Sequence, residues 1–186
     1  MPPDLSNQMR LARLEAILWE DSRYAYVKHS RKEQLTGSEQ SDTWKRTYKP
    51  IGQGGFGAVF REECIEGTNK GDFRAVKSLL KPNTLAPGSI DYGRELAAIS
   101  HFSRAEYAQY FVQSQGWYEN EDSIFVIMEL VPSGNLQQYI GHGLSELETK
   151  RIITQVLHGL RCMHDDGFTH RDLKPQVSIA PMLSPS

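Results

Sequence analysis

The segment His170-Arg171-Asp172-Leu173-Lys174-Pro175 constrains this chain more than any other. An acid and two cations crowd into four positions directly after a long amphipathic stretch, an arrangement that serves no packing purpose. It can be a charged surface loop, or a chemical site held in place by the helix before it. The chemistry favours the second. Asp172 can accept or orient the proton of an attacking hydroxyl. Lys174, two residues on, can neutralise charge on a transferring phosphoryl group. Arg171 can pair with a second anion.

The preceding stretch has its own start and stop signals. Ser145-Glu146-Leu147-Glu148 matches the capping-box pattern, with Glu148 three residues after the serine. An apolar stripe of Ile152, Val156, Leu160 and Met163, flanked by Ile153 and Leu157, follows at helical spacing, and Gly167 ends it.

Upstream lies Ile51-Gly52-Gln53-Gly54-Gly55-Phe56-Gly57-Ala58-Val59. Glycine lets backbone N–H groups approach phosphate oxygens with no Cβ in the way. A dinucleotide fingerprint would need a helix directly afterwards. Ala58-Val59-Phe60 instead reads as strand, so a hairpin over phosphates fits better. The paired strands are expected at 44–53 and 57–64. A second turn at Asn69-Lys70-Gly71-Asp72 leads into a strand over 73–80 that contains Ala75-Val76-Lys77. A lysine there is either a solvated charge or a point cation holding phosphates. The second role needs a positioning carboxylate. Glu95, on a helix expected at 90–102, has the better register, because Leu96 and Ile99 can pack that helix inward; Glu106 is a weaker rival. Two more strands are expected at 111–119 and 123–130, with a short helix at 135–140. Pro82, Pro87 and Gly88 break the chain at 81–90, and Tyr118, Phe125 and Ile127 read as plain core.

Before the glycine segment, Leu11, Leu14, Leu18 and Ala25, with Met9 and Ile17 alongside, predict a helix over about 5–29, capped by Asp4. Residues 30–43 are polar and read as a linker. With 21 Lys+Arg against 23 Asp+Glu, the net charge of −2 argues against non-specific binding of nucleic acid or an anionic membrane, both of which need a basic face. No apolar run approaches a membrane span. No secretory signal is visible, and Cys64 and Cys162 form no CxxC pair, so an intracellular, cytoplasmic or nuclear location is expected.

In order and spacing, the glycine loop, Ala75-Val76-Lys77, Glu95 and the 170–175 segment resemble the eukaryotic-type protein kinases. The resemblance covers roughly residues 48–176, and Lys174 matches the serine/threonine pattern. It implies an α+β fold: a complete five-stranded N-lobe with one helix, followed by the first helices of an incomplete α-helical C-lobe. It implies ATP as substrate, with Mg²⁺ as the family's metal, and a protein hydroxyl as acceptor. Ile51, Gly52, Gly54 and Gly57 would cover the ATP phosphates. Lys77 would hold them and pair with Glu95. Met128 would sit at the back of the adenine pocket. Glu129 and Val131 would offer backbone groups to the adenine edge. Val59 and Ala75 would contact its faces, and Asn135 would meet the ribose. Asp172 would be the catalytic base, with Lys174 beside it.

The sequence departs from the family where an Asn should follow Asp172 by five residues. Val177 stands there, and valine has no oxygen to offer Mg²⁺. No Asp-Phe-Gly segment follows, so no metal ligands are expected. The chain is expected to divide into an N-terminal helix and linker (1–43), an N-lobe (44–131), the start of a C-lobe (132–176) and a tail unlike a kinase (177–186). It reads as a kinase truncated after residue 176, with little activity of its own and with part of the 145–166 helix's apolar face uncovered. The competing reading is a non-catalytic module that binds nucleotide or a partner. A small-molecule kinase is a third. The N-terminal helix either packs on its own lobe or docks a regulatory partner.

Overall fold

The computed structural model describes residues 5–32, 39–54, 57–81, 92–141 and 143–176. Asp4, the proline-bearing break at 82–90, Val177 and the tail lie outside the described residues. The chain forms two compact units, one of residues 1–104 and 112–130, the other of residues 105–111 and 131–186.

The first unit is an antiparallel sheet of eight strands with two helices: α1 (Leu5–Leu11), β1 (Ile17–Glu20), β2 (Tyr24–Lys32), β3 (Glu39–Thr47), β4 (Gly52–Gly54), β5 (Gly57–Glu66), β6 (Phe73–Leu80), α2 (Tyr92–Phe102), β7 (Ser114–Glu119) and β8 (Ser123–Glu129). The main path runs β1-β2-β3-β5-β6-β8-β7, with β4 paired to β5. The five strands expected from the sequence are all present, the first of them broken into β3 and β4. The sheet is longer than expected because β1 and β2 extend it.

Those two strands correct the reading of residues 5–29 as one helix. Only Leu5–Leu11 is helical. Leu11, counted as part of a helical stripe, is 83% exposed. Leu14, Ala16 and Leu18, spaced by two, pack against the core instead. The two periods overlap at Leu14 and Leu18, and the shorter one wins. Asp21 supplies the missing stop signal: its Oδ1 accepts from the backbone N–H groups of Arg23 and Tyr24, both at 2.7 Å. This side-chain turn joins β1 to β2. The described parts of the polar 30–43 segment are strand as well. Asp42 and Thr43 are buried in β3, where Asp42 accepts from Asn69 N at 3.1 Å and from Asn69 Nδ2 at 2.7 Å.

Alternation gives the sheet two faces. Its inner face curls around Val27, Trp44, Cys64, Val76, Tyr118, Phe125 and Ile127, with Leu14, Ala16 and Leu18 against them. Tyr118, Phe125 and Ile127 are thus the core residues the sequence predicted. The other face gathers Leu79, Leu96, Ile124 and Val126 under α2. Residues 12–14 run beside β7: Leu14 N donates to Trp117 O (2.8 Å) and Trp117 N to Ala12 O (3.0 Å). The segment leading into β1 therefore laces the two ends of the sheet together. Gly116 permits this approach. Its φ is +124°, and a Cβ would stand 2.7 Å from Ala12 O.

The second unit holds a short 3₁₀ turn (Ala105–Tyr107), α3 (Leu136–Ile140) and α4 (Glu146–Asp165). The capping box forms as expected, Glu148 N donating to Ser145 Oγ while Ser145 N donates to Glu148 Oε2. Bonding to Ser145 holds the Glu148 carboxyl below its usual range. Ile152 and Met163 are buried, whereas Ile153 and Leu157 are exposed.

Candidate active site

In the first unit, pairing registers place four of the expected residues on one face. Gly52 is opposite Val59, Val59 opposite Lys77, and Lys77 opposite Val126. Ala75 is opposite Met128, two positions from Lys77. Val59, Ala75, Lys77 and Met128 thus share the α2 face, beside the glycine strand. Gly57 closes the hairpin with φ +137°. A Cβ there would collide with Ser78 O at 2.0 Å, so β5 can lie this close to β6 only through a glycine. The exposed β4 glycines have no such crowding. Ile51 N donates to Val59 O (2.8 Å), fixing the start of the loop.

Lys77 Nζ forms an ion pair with the Glu95 carboxylate. Leu96 is buried against the sheet and Ile99 packs beside it, which gives α2 the register inferred from the sequence. Glu106 lies in the 3₁₀ turn of the other unit and is not the partner of Lys77. The Lys77 and Glu95 side chains keep 28% and 24% of their exposure. Glu129 N donates to Gln113 O (3.0 Å), and the Glu129 carboxylate accepts from Gln113 N (2.8 Å). This doubly fixed residue ends β8.

In the second unit, Asp172 Oδ2 and Lys174 Nζ form an ion pair at 2.7 Å. Arg171 has φ +62°, the one left-handed non-glycine residue among the described residues. It turns the chain so that Asp172 N can donate to His170 O (2.9 Å). Gln137 N of α3 donates to Pro175 O (3.3 Å), and Gln176 Nε2 to Gln137 Oε1 (3.2 Å), which ties the loop to α3. Val131 O accepts from Gly134 N (3.2 Å). Asn135 caps α3 without a side-chain cap bond, and its buried Oδ1 has no hydrogen-bond partner among the described residues.

Among the described residues, no three His, Cys, Asp or Glu side chains gather where they could hold a metal. The acid of the 170–175 loop is already paired with Lys174. Mg²⁺ beside a nucleotide takes one or two protein oxygens besides phosphate and water, and Val177, where the family has Asn, offers none.

The sequence reasoning missed a second charged group, on the inner face. Glu62 and Arg74 are 1% and 3% exposed. Arg74 Nε and an Nη donate to Glu62 Oε2 at 2.8 and 2.6 Å. The guanidinium lies 3.9 Å over the Trp44 ring and donates to His29 Nε2 at 3.1 Å. That assigns the His29 proton to Nδ1, which donates to Glu15 O at 2.9 Å. Burial, and the Arg74 cation beside it, push His29 down to about 4. Burial and the Glu62 charge raise Tyr118 above its ordinary value. The only signal in the sequence was alternation: Arg74 and Lys77 sit three apart in one strand and must face opposite ways.

A curled antiparallel sheet, a glycine hairpin and a strand lysine paired to a helix glutamate give the first unit the arrangement of a kinase N-lobe. Comparison with known proteins agrees. The protein kinase domain model matches residues 46–177. The chain is 33% identical over 132 residues to CDPK-related kinase 4 of Arabidopsis thaliana, covering 69% of this chain and 22% of that protein. It is 35% identical over 132 residues to the calcium/calmodulin-dependent serine/threonine-protein kinase 1 of Oryza sativa subsp. japonica, with the same coverage. Serine/threonine-protein kinase cds1 of Schizosaccharomyces pombe is 30% identical over 158 residues, 81% of this chain and 33% of that protein. The chain belongs to the protein kinase family, on its serine/threonine side. It spans about a fifth to a third of the length of these relatives. No helix among the described residues is long and apolar enough to cross a membrane.

Proposed function

We propose that this chain carries the ATP-binding lobe and the catalytic loop of a protein serine/threonine kinase. The observation that carries the reading is the Lys77–Glu95 pair on the face shared by Val59, Ala75 and Met128. Backbone N–H groups of the 51–57 hairpin meet the phosphates. Lys77, held by Glu95, takes two of them as a point charge. Val59, Ala75 and Met128 supply apolar contact for the base, Glu129 and Val131 backbone groups for its edge, and Asn135 a contact for the ribose. Asp172 orients the acceptor hydroxyl of a protein substrate, and Lys174 offsets charge on the phosphoryl group.

These 186 residues lack the oxygen ligands Mg²⁺ needs: valine occupies position 177 and no Asp-Phe-Gly triplet is present. By themselves they are therefore expected to bind nucleotide with little turnover. The second reading is a kinase-like module that binds nucleotide or a partner without catalysis; Val177, where the family has Asn, is the residue that favours it. ATP titrated into the chain, with and without Mg²⁺, is expected to bind with an affinity that Mg²⁺ hardly changes and Lys77→Met abolishes. Phosphoryl transfer is expected to be no faster than in Asp172→Asn. Turnover above that control sinks the prediction of inactivity, and ATP binding that survives Lys77→Met sinks the site.

A further inference from the structure

The chain before the kinase-like region reaches the helix that carries Glu95. Among the described elements, the main neighbour of α2 is α1, with β7 second. Met9, in the last turn of α1, packs against the cluster of Leu79, Leu96, Ile124 and Val126 beneath α2. Its backbone oxygen accepts from Trp117 Nε1 at 2.8 Å. Trp117 belongs to the same apolar cluster and stands opposite Val126, which stands opposite Lys77. One cross-strand row therefore runs from the glycine strand through Lys77 to the indole that grips Met9. Beyond it, the two backbone bonds between residues 12–14 and Trp117, and the Arg13–Glu119 ion pair at 2.7 Å, fasten the segment to β7.

Resting on the ATP-site reading above, we propose that Met9 and Trp117 are positioning residues: together they clamp α2 against the sheet so that Glu95 meets Lys77. Neither touches the nucleotide in this account. A helix packed on a sheet through few large side chains can shift at small cost unless a further element holds it. Leu96 adjoins Glu95, so a roll that lifts Leu96 from Leu79 also withdraws the carboxylate from Lys77. The clamp opposes that roll by adding Met9 to the apolar layer under α2 and tying its backbone to Trp117 of the sheet. It makes the segment before residue 17 part of the site's machinery rather than a separate appendage.

The test uses the 186-residue chain and reads the pair directly, by the rate at which an amine-directed acylating reagent labels Lys77, followed by mass spectrometry. Glu95→Gln sets the rate for an unpaired lysine. Met9→Ala is expected to raise labelling most of the way to that rate, Trp117→Phe to raise it part of the way, and Met9→Leu to restore the wild-type rate. Amide exchange is expected to quicken over residues 93–101 and to stay unchanged over 62–64 and 74–76. ATP affinity should fall by about fivefold in Met9→Ala, the lower end of ordinary coupling between sites. Wild-type Lys77 labelling in Met9→Ala overturns the proposal. So does faster exchange throughout the sheet, which makes the segment a general prop. If labelling responds as expected while Lys77→Met leaves ATP binding intact, the clamp stands and the ATP-site reading fails.

Discussion

The two faces of β6 carry two ion pairs three residues apart, and they do opposite work. Arg74 meets Glu62 on the inner face with 4% and 2% of the side chains exposed; Lys77 meets Glu95 on the α2 face with 28% and 24%. The inner pair is buried in a network: Glu62 also faces Arg46 at 3.9 Å, and Arg74 reaches His29 and Trp44. Its charges are held by one another, inside the fold. The α2-face pair keeps solvent and spare hydrogen-bonding capacity on both members. An anion can approach Lys77 without dismantling the lobe. Burial, more than residue type, separates a pair locked into the fold from one that a ligand could reach.

Breaking the inner pair is expected to have the largest effect on stability. Glu62→Gln leaves the Arg74 guanidinium buried without its counter-charge, a loss of ~3–5 kcal/mol. Urea unfolding measures it, and a loss under 1 kcal/mol would make the two pairs alike.

Acid probes the same face more gently. His29 is held down to about 4, below the ordinary histidine value of 6.5. Between those values the unfolded chain binds a proton that the folded chain refuses. Stability is therefore full above pH 6.5 and is lost as pH falls toward 4, by about 3 kcal/mol in all. Unfolding midpoints at pH 7 and pH 5 check the sign. A His29→Gln variant, which has no proton to take up, is expected to flatten the slope.

The smallest stability effect is expected at the α2 face. Lys77→Met breaks a partly exposed pair worth less than about 1 kcal/mol. A thermal shift of the size seen in Glu62→Gln would show that the α2-face pair is structural after all.

Legibility in the sequence followed the same division. Lys77, Glu95 and the 170–175 loop stood out because function demands particular residues at particular spacings, whatever the surroundings. The Ser145 capping box was equally readable, since all its partners lie within one turn. The inner face was not. Glu62 and Arg74 look like solvated charges until β5 and β6 are known to be paired and a further layer is known to cover them. Asp42 looks like a loop residue because the Asn69 donors that satisfy it lie 27 residues away. Leu14 and Leu18 fit both a helical and an alternating period; the Trp117 backbone holds Leu14 extended, and pairing with Val27 across the Asp21 turn holds Leu18. Apart from that local turn, what escaped was a long-range partner.

The most direct test of the account is a crossed measurement: urea stability and ATP affinity, each determined for Glu62→Gln and Lys77→Met. Glu62→Gln is predicted to lose stability while its folded fraction binds ATP within about twofold of wild type. Lys77→Met is predicted to keep its stability and lose ATP binding, as expected if only the open pair handles the anion. Lys77→Met binding ATP as tightly as the wild-type chain, or both variants losing both properties together, would contradict it.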